Sequence, residues 1–246
     1  MSPARSLILD RLSEEGYALV SAAEAAVALD LGLAALAGLR ASWDELPRDA
    51  YLRDGGAYRA RRHSCFTQAR GAAVQAVPHR PHWQPTSYNA LHGGLTRWFE
   101  PMTVQVRGAA GFVHLLGALG GLFGEVRHAP CWYIEAHQFR IDTAAGIGRP
   151  TPEGAHRDGV DFVAVILIER HHVLGGETRV FAAQSSSGVR FTMSEPWSML
   201  LMDDARVIHE TTPIQPDGPH GRRDTLVLTY RAAGFQSPEG AAQDAF

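Results

Sequence analysis

Apolar and polar positions alternate with a period of two through the second half of the chain. The alternation runs from Cys131 to Ala232 in short segments separated by Gly and Pro. This period is typical of half-buried strands, and many short strands with tight turns are typical of a jelly roll. Besides residues 132–141, strands are expected near residues 160–169, 176–183, 188–193, 197–203, 206–210 and 224–231. The pattern therefore predicts a mainly β (α+β) protein with a jelly-roll, cupin-like core.

Apolar residues recur at helical spacing before that core. The expected helices are at residues 5–15, 21–40 and 102–124. Ser21 and Glu24 form a capping-box pattern at the start of the second helix. Gly32 and Gly38 are weak points within it. A short strand, 17–20, separates the first two helices, and all three helices are expected to pack on the outside of the sheet.

Length and composition fit one folded domain of 246 residues, with 45% hydrophobic and 20% charged residues. We expect four regions along it: a helical region (1–50), a mixed helix and loop region (51–130), the jelly-roll core (131–232) and a loose tail (233–246). The formal net charge of −3 and the absence of a Lys/Arg run argue against a nucleic-acid partner.

Cysteine content and hydropathy bear on the cellular location. The two cysteines, Cys65 and Cys131, do not suggest a disulfide framework. No apolar run approaches the roughly 20 residues that a membrane-spanning helix needs, so no membrane association is expected. The N-terminal residues do not have the pattern of a signal peptide. These features predict a cytoplasmic protein.

Two potential metal ligands stand directly before the most apolar predicted strand. His156 and Asp158 are two residues apart, and residues i and i+2 project from the same face of a strand. His209 ends a later apolar segment and is the expected third ligand. Two imidazoles and one carboxylate form a facial triad that suits Fe(II), although Mn(II) or Ni(II) would accept the same donors. His156 and Asp158 alone would also fit a polar pair on the surface.

The order of the surrounding features is more specific than that pair. A Gly-Gly turn at residues 174–180 follows the apolar strand, then comes His209, and then Arg223 opens the final strand. This series resembles the iron(II)/2-oxoglutarate-dependent dioxygenases. Residues 56–63 and 136–140 resemble segments of the bacterial subfamily that includes the free L-isoleucine hydroxylases, so the resemblance covers most of the chain.

The resemblance implies a set of cofactors and roles. His156, Asp158 and His209 would bind Fe(II) and serve catalysis. 2-Oxoglutarate would be the cosubstrate, consumed with O2 to give succinate and CO2 as a substrate is hydroxylated. Arg223 would hold the far carboxylate of 2-oxoglutarate through two parallel hydrogen bonds. Thr225, two residues later on the same face, would add a hydroxyl donor.

Other interpretations of the cosubstrate arginine remain open. Arg223 could instead be a sheet-edge arginine paired with a neighbouring acid such as Asp224. Arg231 lies further along the same strand face, and Arg222 is adjacent but points to the other face. Either would be the alternative if Arg223 does not bind the cosubstrate.

Four further residues are expected to bind the substrate. Arg59 and Arg61 share one face of a predicted strand, and Gln138 and Arg140 share a face of another. Because buried unpaired charge is costly, a pocket with several guanidinium groups calls for anions. We therefore expect a small polar molecule with a carboxylate, a free amino acid. The histidines of residues 71–93 lack regular spacing, and no second metal site is expected there.

Two other classes of function fit parts of the sequence. A metallohydrolase or other cupin-type metalloenzyme could use the same ligands without 2-oxoglutarate, in which case O2 and Arg223 would be dispensable. A non-catalytic sensor or binding protein could be built on a degenerate jelly roll. The intact triad together with Arg223 argues against that last reading.

Overall fold

The computed structural model describes residues 2–238. Its helices are α1 (Pro3–Glu14), α2 (Ala22–Leu29), α3 (Leu33–Ala37), a 3-10 helix (Arg40–Glu45), α4 (Val104–Gly108) and α5 (Ala110–Val126). Its strands are β1 (Tyr17–Val20), β2 (Arg59–Ala69), β3 (Gln75–Ala76), β4 (Cys131–Asp142), β5 (Phe162–His171), β6 (Val173–Gly175), β7 (Thr178–Ala182), β8 (Gly188–Phe191), β9 (Met199–Asp203), β10 (Val207–Thr211), β11 (Ile214–Pro216) and β12 (Arg222–Arg231).

Seven strands form one large antiparallel sheet in the order β1-β9-β5-β12-β4-β2-β3. Strands β10, β7 and β8 form a second sheet, and β11 pairs with β6. A backbone bridge between His156 and His209 connects the loop before β5 to the second sheet. The expected fold class, a mainly β jelly roll with buttressing helices, is confirmed.

The two faces of the large sheet have different chemistry because side chains alternate along each strand. One face is apolar and packs against α1, α2 and α5 in the main hydrophobic core. There the ring of Phe123 on α5 stacks on Phe162 of β5 at 4.5 Å, and the Tyr230 hydroxyl donates to the carbonyl of Leu116 at 2.9 Å. On the other face, Val163, Leu167, Leu200 and Met202 of β5 and β9 form a second apolar cluster against β7 and β10. Polar side chains on that face come mainly from β2, β4 and β12.

The expected continuous helix over residues 21–40 is wrong. The capping box at Ser21 and Glu24 is present, but α2 ends at Leu29 because Asp30 adopts the left-handed conformation (φ 52°). A new helix starts only after Gly32. Within residues 2–238 no single helix is long and apolar enough to span a membrane. Only α2 taken together with Leu33–Glu45, across a bend of 118°, reaches that length and apolarity.

The described part of the expected loose tail makes defined contacts. The Phe235 ring packs edge-on against Tyr133 at 5.1 Å. Gln236 Nε2 donates to the backbone carbonyls of Asp158 (3.1 Å) and Gly159 (2.9 Å). This part of the chain is therefore fastened over the loop that carries the expected metal ligands. Residues 239–246 lie outside the described range.

Candidate active site

A cavity of about 130 Å³ opens on the polar face of the large sheet. Strands β2, β4, β5, β10 and β12 contribute side chains to its wall, and so do the loops around residues 82–97, 150–158 and 234–236. His156, Asp158, His209, Arg223, Thr225, Arg59 and Arg61 all line it. Seven of the nine expected site residues therefore face one cavity.

The three expected metal ligands converge. His156 and His209 exchange two backbone hydrogen bonds of 3.0 Å, which holds their rings 4.7 Å apart. Asp158 Oδ1 lies 3.9 Å from His156 Nε2, and its Oδ2 lies 3.8 Å from His209 Nε2. One ligand atom from each residue lies within 4.8 Å of the other two. This arrangement fits a facial triad around one metal ion.

The hydrogen bond of His156 and the pKa of His209 both fit metal binding. His156 Nδ1 lies 2.8 Å from the carbonyl of Gly154, which can only accept, so the proton is on Nδ1 and Nε2 offers a lone pair. Burial lowers the pKa of His156, but the carboxylates of Asp158 and Glu153 outweigh burial and raise it. Burial, reinforced by His156, lowers the pKa of His209 well below its usual value. The neutral imidazole is the form that binds a metal.

Asp158 is held by neighbours that sequence reasoning missed. The carboxylate of Asp204 accepts the backbone N–H groups of Asp158, Gly159 and Val160 at 2.9, 2.8 and 3.1 Å. Gln84 Nε2 donates to Asp158 Oδ1 at 3.1 Å. Such outer partners orient metal ligands. Asp204 follows β9 in the sequence without a recognisable motif, and Gln84 lies in an irregular loop.

Arg223 is a buried cation with no carboxylate within 4.0 Å in the described part of the chain. It is 4% exposed, and its Nε and Nη2 atoms have no hydrogen-bond partner within residues 2–238. Burial, with the nearby charge of Arg170, lowers the pKa of Arg223 to about 10. Thr225 lies two residues along the same face of β12 and is buried as well. The pair therefore fits one end of an anionic ligand, because a buried unpaired charge is costly.

Two of the other interpretations of this arginine do not agree with the structure. Asp224 faces away from the cavity and pairs with Arg140, at 2.8 and 2.7 Å. Arg222 also faces away and pairs with Glu169 at 2.8 Å. Arg231 lines the cavity, but its Nη1 donates to the carbonyls of Ala233 and Gly234.

Arg59 and Arg61 point into the cavity as expected, but they are already partly neutralised. Arg59 Nε donates to Asp49 Oδ2 at 2.7 Å, and Arg61 Nη1 lies 3.9 Å from the same oxygen. Burial raises the pKa of Asp49, but the two guanidinium groups outweigh burial and hold it below its usual value. The Arg61 guanidinium also lies 3.7 Å over the ring of Phe99. These contacts fix both side chains as parts of the wall.

The expectation that Gln138 and Arg140 bind substrate is wrong. Both lie on the helix-facing side of β4, because its alternation directs Glu135 and His137 into the cavity instead. Gln138 Nε2 donates to Ser42 Oγ at 2.8 Å, and Arg140 pairs with Asp224. Their role is to fasten the 3-10 helix and β12 to β4.

Arg97 is a second buried cation in the cavity, and no sequence signal distinguished it. It is 2% exposed, Nη2 donates to Gln84 Oε1 at 3.1 Å, and Nε has no partner within residues 2–238. No described carboxylate lies within 4.0 Å of it. Burial, with the charge of Arg59, lowers the pKa of Arg97 to about 10. A second anionic group would satisfy it.

A second histidine cluster also faces the cavity, which corrects the expectation that the loop histidines do not cluster. Strands β2 and β4 bring His63, Glu135 and His137 together, and His82 joins them from the loop. Glu135 Oε2 lies 2.9 Å from His63 Nε2, 2.6 Å from His82 Nδ1 and 3.6 Å from His137 Nε2. The cluster depends on cross-strand register, which residue spacing alone does not reveal.

Comparisons with known proteins agree with this site. The model of the 2OG-Fe dioxygenase family matches residues 40–229. No curated protein sequence matches the chain. Among solved structures, a bsmA homolog from Methylobium petroleophilum PM1 is 51% identical, with 97% of each chain covered and a TM-score of 0.92.

More distant structures share the fold. IDO from Bacillus thuringiensis is 16% identical, with 95% of this chain and 100% of that chain covered and a TM-score of 0.76. The Fe(II)/α-ketoglutarate-dependent dioxygenase TqaL is 16% identical, with 94% and 90% covered and a TM-score of 0.68. The family match spans most of the chain and includes the converging triad. The chain therefore belongs to the 2OG-Fe dioxygenase family, oxygenases that use Fe(II), 2-oxoglutarate and O2.

Proposed function

We propose that this dioxygenase hydroxylates a small molecule that carries a carboxylate, specifically a free amino acid. The observation that carries the proposal is the presence of two buried guanidinium groups, Arg97 and Arg223, in the cavity that contains the triad. Neither has a described carboxylate within 4.0 Å. Two anionic ligands are needed to balance them, and 2-oxoglutarate accounts for one.

The residues present fit the metal and the cosubstrate. His156, Asp158 and His209 would hold Fe(II), since their free donor atoms converge. Arg223, with its unpartnered Nε and Nη2, would bind the far carboxylate of 2-oxoglutarate, with Thr225 beside it. When bound, the metal and cosubstrate supply the oxidising chemistry that replaces C–H by C–OH, with release of succinate and CO2.

Arg97 is the residue that we assign to the substrate carboxylate. Gln84 receives a hydrogen bond from Arg97 and donates one to Asp158, so a single side chain separates the expected anion site from a metal ligand. The cavity wall also includes Val160, Val165 and Val227, which offer apolar surface to an aliphatic side chain. Arg97 would thus orient the substrate, and the valines would exclude water around it.

The resemblance of residues 56–63 and 136–140 to the free L-isoleucine hydroxylases supports an amino acid as substrate. The geometry is a second support for a small substrate, because most of the charged side chains that line the cavity are buried. A peptide or nucleic-acid strand would instead need an extended basic or aromatic groove. Within residues 2–238, this one cavity is lined by the buried charged residues Arg59, Arg61, Arg97, Glu135 and Arg223.

The test is succinate formation by the iron-loaded protein with each free L-amino acid, in air and without O2. At least one amino acid should raise succinate above the uncoupled level, and only in air. Arg97→Leu should remove that increase, because the substrate loses its charge-assisted hydrogen bonds. Arg190→Leu, at an exposed position on β8, is the matched control and should behave as the wild type.

Two outcomes would contradict the proposal. Turnover that does not need O2 would point to a cupin-type metalloenzyme that does not use 2-oxoglutarate. A peptide or lipid that raises succinate when no free amino acid does would refute the substrate assignment and leave the dioxygenase chemistry in place.

A further inference from the structure

Within residues 2–238, Glu135 accepts hydrogen bonds only from imidazoles. It is 7% exposed, and His63 Nε2 and His82 Nδ1 both contact its Oε2, at 2.9 and 2.6 Å. Within residues 2–238, its other oxygen, Oε1, has no hydrogen-bond partner, and no arginine lies within 4.0 Å of the carboxylate. Glu135 lines the cavity, so the partner it lacks can only come from there.

The positions of the protons follow from the contacts. Arg61 Nη2 lies 2.6 Å from His137 Nδ1, and a guanidinium can only donate, so His137 accepts at Nδ1 and carries its proton on Nε2. Burial lowers the pKa of His63, of His82 (to about 4) and of His137. Burial raises the pKa of Glu135, but the surrounding histidines outweigh it and hold that pKa well below its ordinary range. The cluster is therefore one carboxylate among neutral rings.

This proton arrangement argues against a second metal ion. A ring protonated on Nε2 cannot coordinate through that atom, and Nε2 is the atom that His137 turns towards Glu135. The cationic Arg61 on the other side of His137 adds electrostatic repulsion to any metal there. What the cluster offers to the cavity is a negative charge with a free acceptor.

Arg97 is its immediate neighbour of opposite charge. His82 and Arg97 exchange two backbone hydrogen bonds, of 2.9 and 3.0 Å, and such pairs project side chains on the same side about 5.5 Å apart. His82 also holds Glu135, so a buried anion and a buried cation lie close together without forming an ion pair within 4.0 Å. A zwitterion placed between them would satisfy both.

We propose that Glu135, oriented by His63, His82 and His137, is the subsite for the primary ammonium group of the substrate. The assignment rests on the proposed function, in which Arg97 binds the carboxylate of the same molecule. It makes Glu135 the residue that distinguishes an α-amino acid from other carboxylic acids. The three histidines act through Glu135 as positioning residues.

The experiment compares paired ligands by titration calorimetry on protein loaded with Mn(II) and 2-oxoglutarate without O2. The probes are L-valine, L-leucine and L-isoleucine, each with the carboxylic acid that lacks its amino group. We expect an amino acid to bind at least about 30-fold more tightly than its des-amino partner, the effect of one charge-assisted hydrogen bond. Glu135→Gln should reduce that ratio to below about 5-fold, because it weakens the binding of the amino acid and leaves the binding of the des-amino acid unchanged.

The controls separate a binding role from a structural one. Glu100→Gln changes an exposed carboxylate near the cluster and should keep the wild-type ratio. A merely structural role for Glu135 would weaken both ligands equally, together with 2-oxoglutarate, and would overturn the inference. Equal binding of an amino acid and its des-amino partner to the wild type would also overturn the ammonium subsite. The proposed function would still hold in that case if an amino acid raised succinate formation.

Two further outcomes complete the test. If none of the amino acids binds and none raises succinate, the substrate assignment fails, and the ammonium subsite fails with it. If His209→Ala protein retains one metal ion per chain and loses it on adding Glu135→Gln, the cluster is a metal site and the inference is wrong. A His209→Ala protein free of metal would support it.

Discussion

One cavity holds two groups of histidine and carboxylate side chains, and they differ in where their protons lie. In the triad, the carbonyl of Gly154 accepts a hydrogen bond from Nδ1–H of His156, which leaves Nε2 with a free lone pair. In the second cluster, Arg61 occupies the outer nitrogen of His137 and forces the proton inwards, towards Glu135. The first arrangement presents lone pairs to a metal. The second presents N–H groups to a carboxylate.

The comparison shows that a count of ligand-type residues does not identify a metal site. Both groups place their ligand atoms within 4.8 Å of one another, and the second group contains one more histidine. For His156 and His137, the hydrogen bond on the far side of the ring decides which nitrogen is available.

Loss of a triad ligand should have the largest effect. His156→Ala, Asp158→Ala or His209→Ala should abolish stoichiometric iron binding and turnover, because two ligands hold Fe(II) poorly, while the fold survives. His82→Ala is the matched change in the second cluster and should keep one iron per chain. Metal analysis of the purified variants measures this. Full iron occupancy in His209→Ala would show that another residue is the third ligand.

The next largest effect is expected at the cosubstrate end of the cavity. Arg223→Ala should raise the 2-oxoglutarate concentration needed for half-maximal succinate formation, at a cost of about 2–5 kcal/mol of binding. Iron affinity should change little. Arg222→Ala, which removes the neighbouring arginine on the other face, is the control. An unchanged requirement in Arg223→Ala would transfer the role to Arg231.

The neutral histidines of the second cluster should make the metal-free fold sensitive to acid. An unfolded histidine titrates near 6.5, whereas folded His82 titrates at about 4, so the unfolded state binds more protons between those values. The contribution of neutral His82 to the free energy of unfolding is therefore largest above pH 6.5 and decreases as the pH falls towards 4. Urea unfolding at pH 7 and pH 5 should differ by about 2 kcal/mol from His82 alone.

His82→Asn is the variant that isolates this contribution. Its free energy of unfolding should fall less between pH 7 and pH 5 than that of the wild type. If the two proteins lose the same free energy over this interval, His82 is not held in its neutral form and the contrast with the triad is weakened.

The smallest predicted effect concerns Gln84, which connects Asp158 to Arg97. Gln84→Leu removes the hydrogen bond to Asp158 and should weaken iron binding by about tenfold, the lower end for outer partners of metal ligands. Competition with a chelator measures this. Asn89, which donates to Gln84 at 3.2 Å, provides the milder comparison Asn89→Ala. Unaltered iron affinity in Gln84→Leu would mean that Asp204 alone orients Asp158.

Local spacing predicted the fold class, and together with the resemblance to a known family it predicted that the metal ligands converge. The period of two identified the strands, and the pair His156 and Asp158 before an apolar strand placed two ligands on one face. His209 and Arg223 followed from the order of features along the chain. All four depend on residues close in sequence to a strand, where alternation determines direction.

What could not be predicted depends on contacts distant in sequence. His82, Gln84 and Arg97 lie in a loop without periodicity, and only cross-strand register brings His63 and Glu135 to them. The error at Gln138 and Arg140 has a related origin. Alternation put them on a common face, but deciding which face of β4 meets the helices required the packing of the whole sheet.

Strand β12 is the last strand that the structure describes, yet it lies between β4 and β5 in the large sheet. During synthesis on the ribosome, β4 and β5 therefore lack their shared neighbour β12, which is translated about fifty residues after β5. Until then two strands have unpaired edges, which promote aggregation. The fold should be completed only late in synthesis, with slow, non-local pairing. Truncation before residue 222 should yield insoluble protein, and production in cells should benefit from slow synthesis at low temperature.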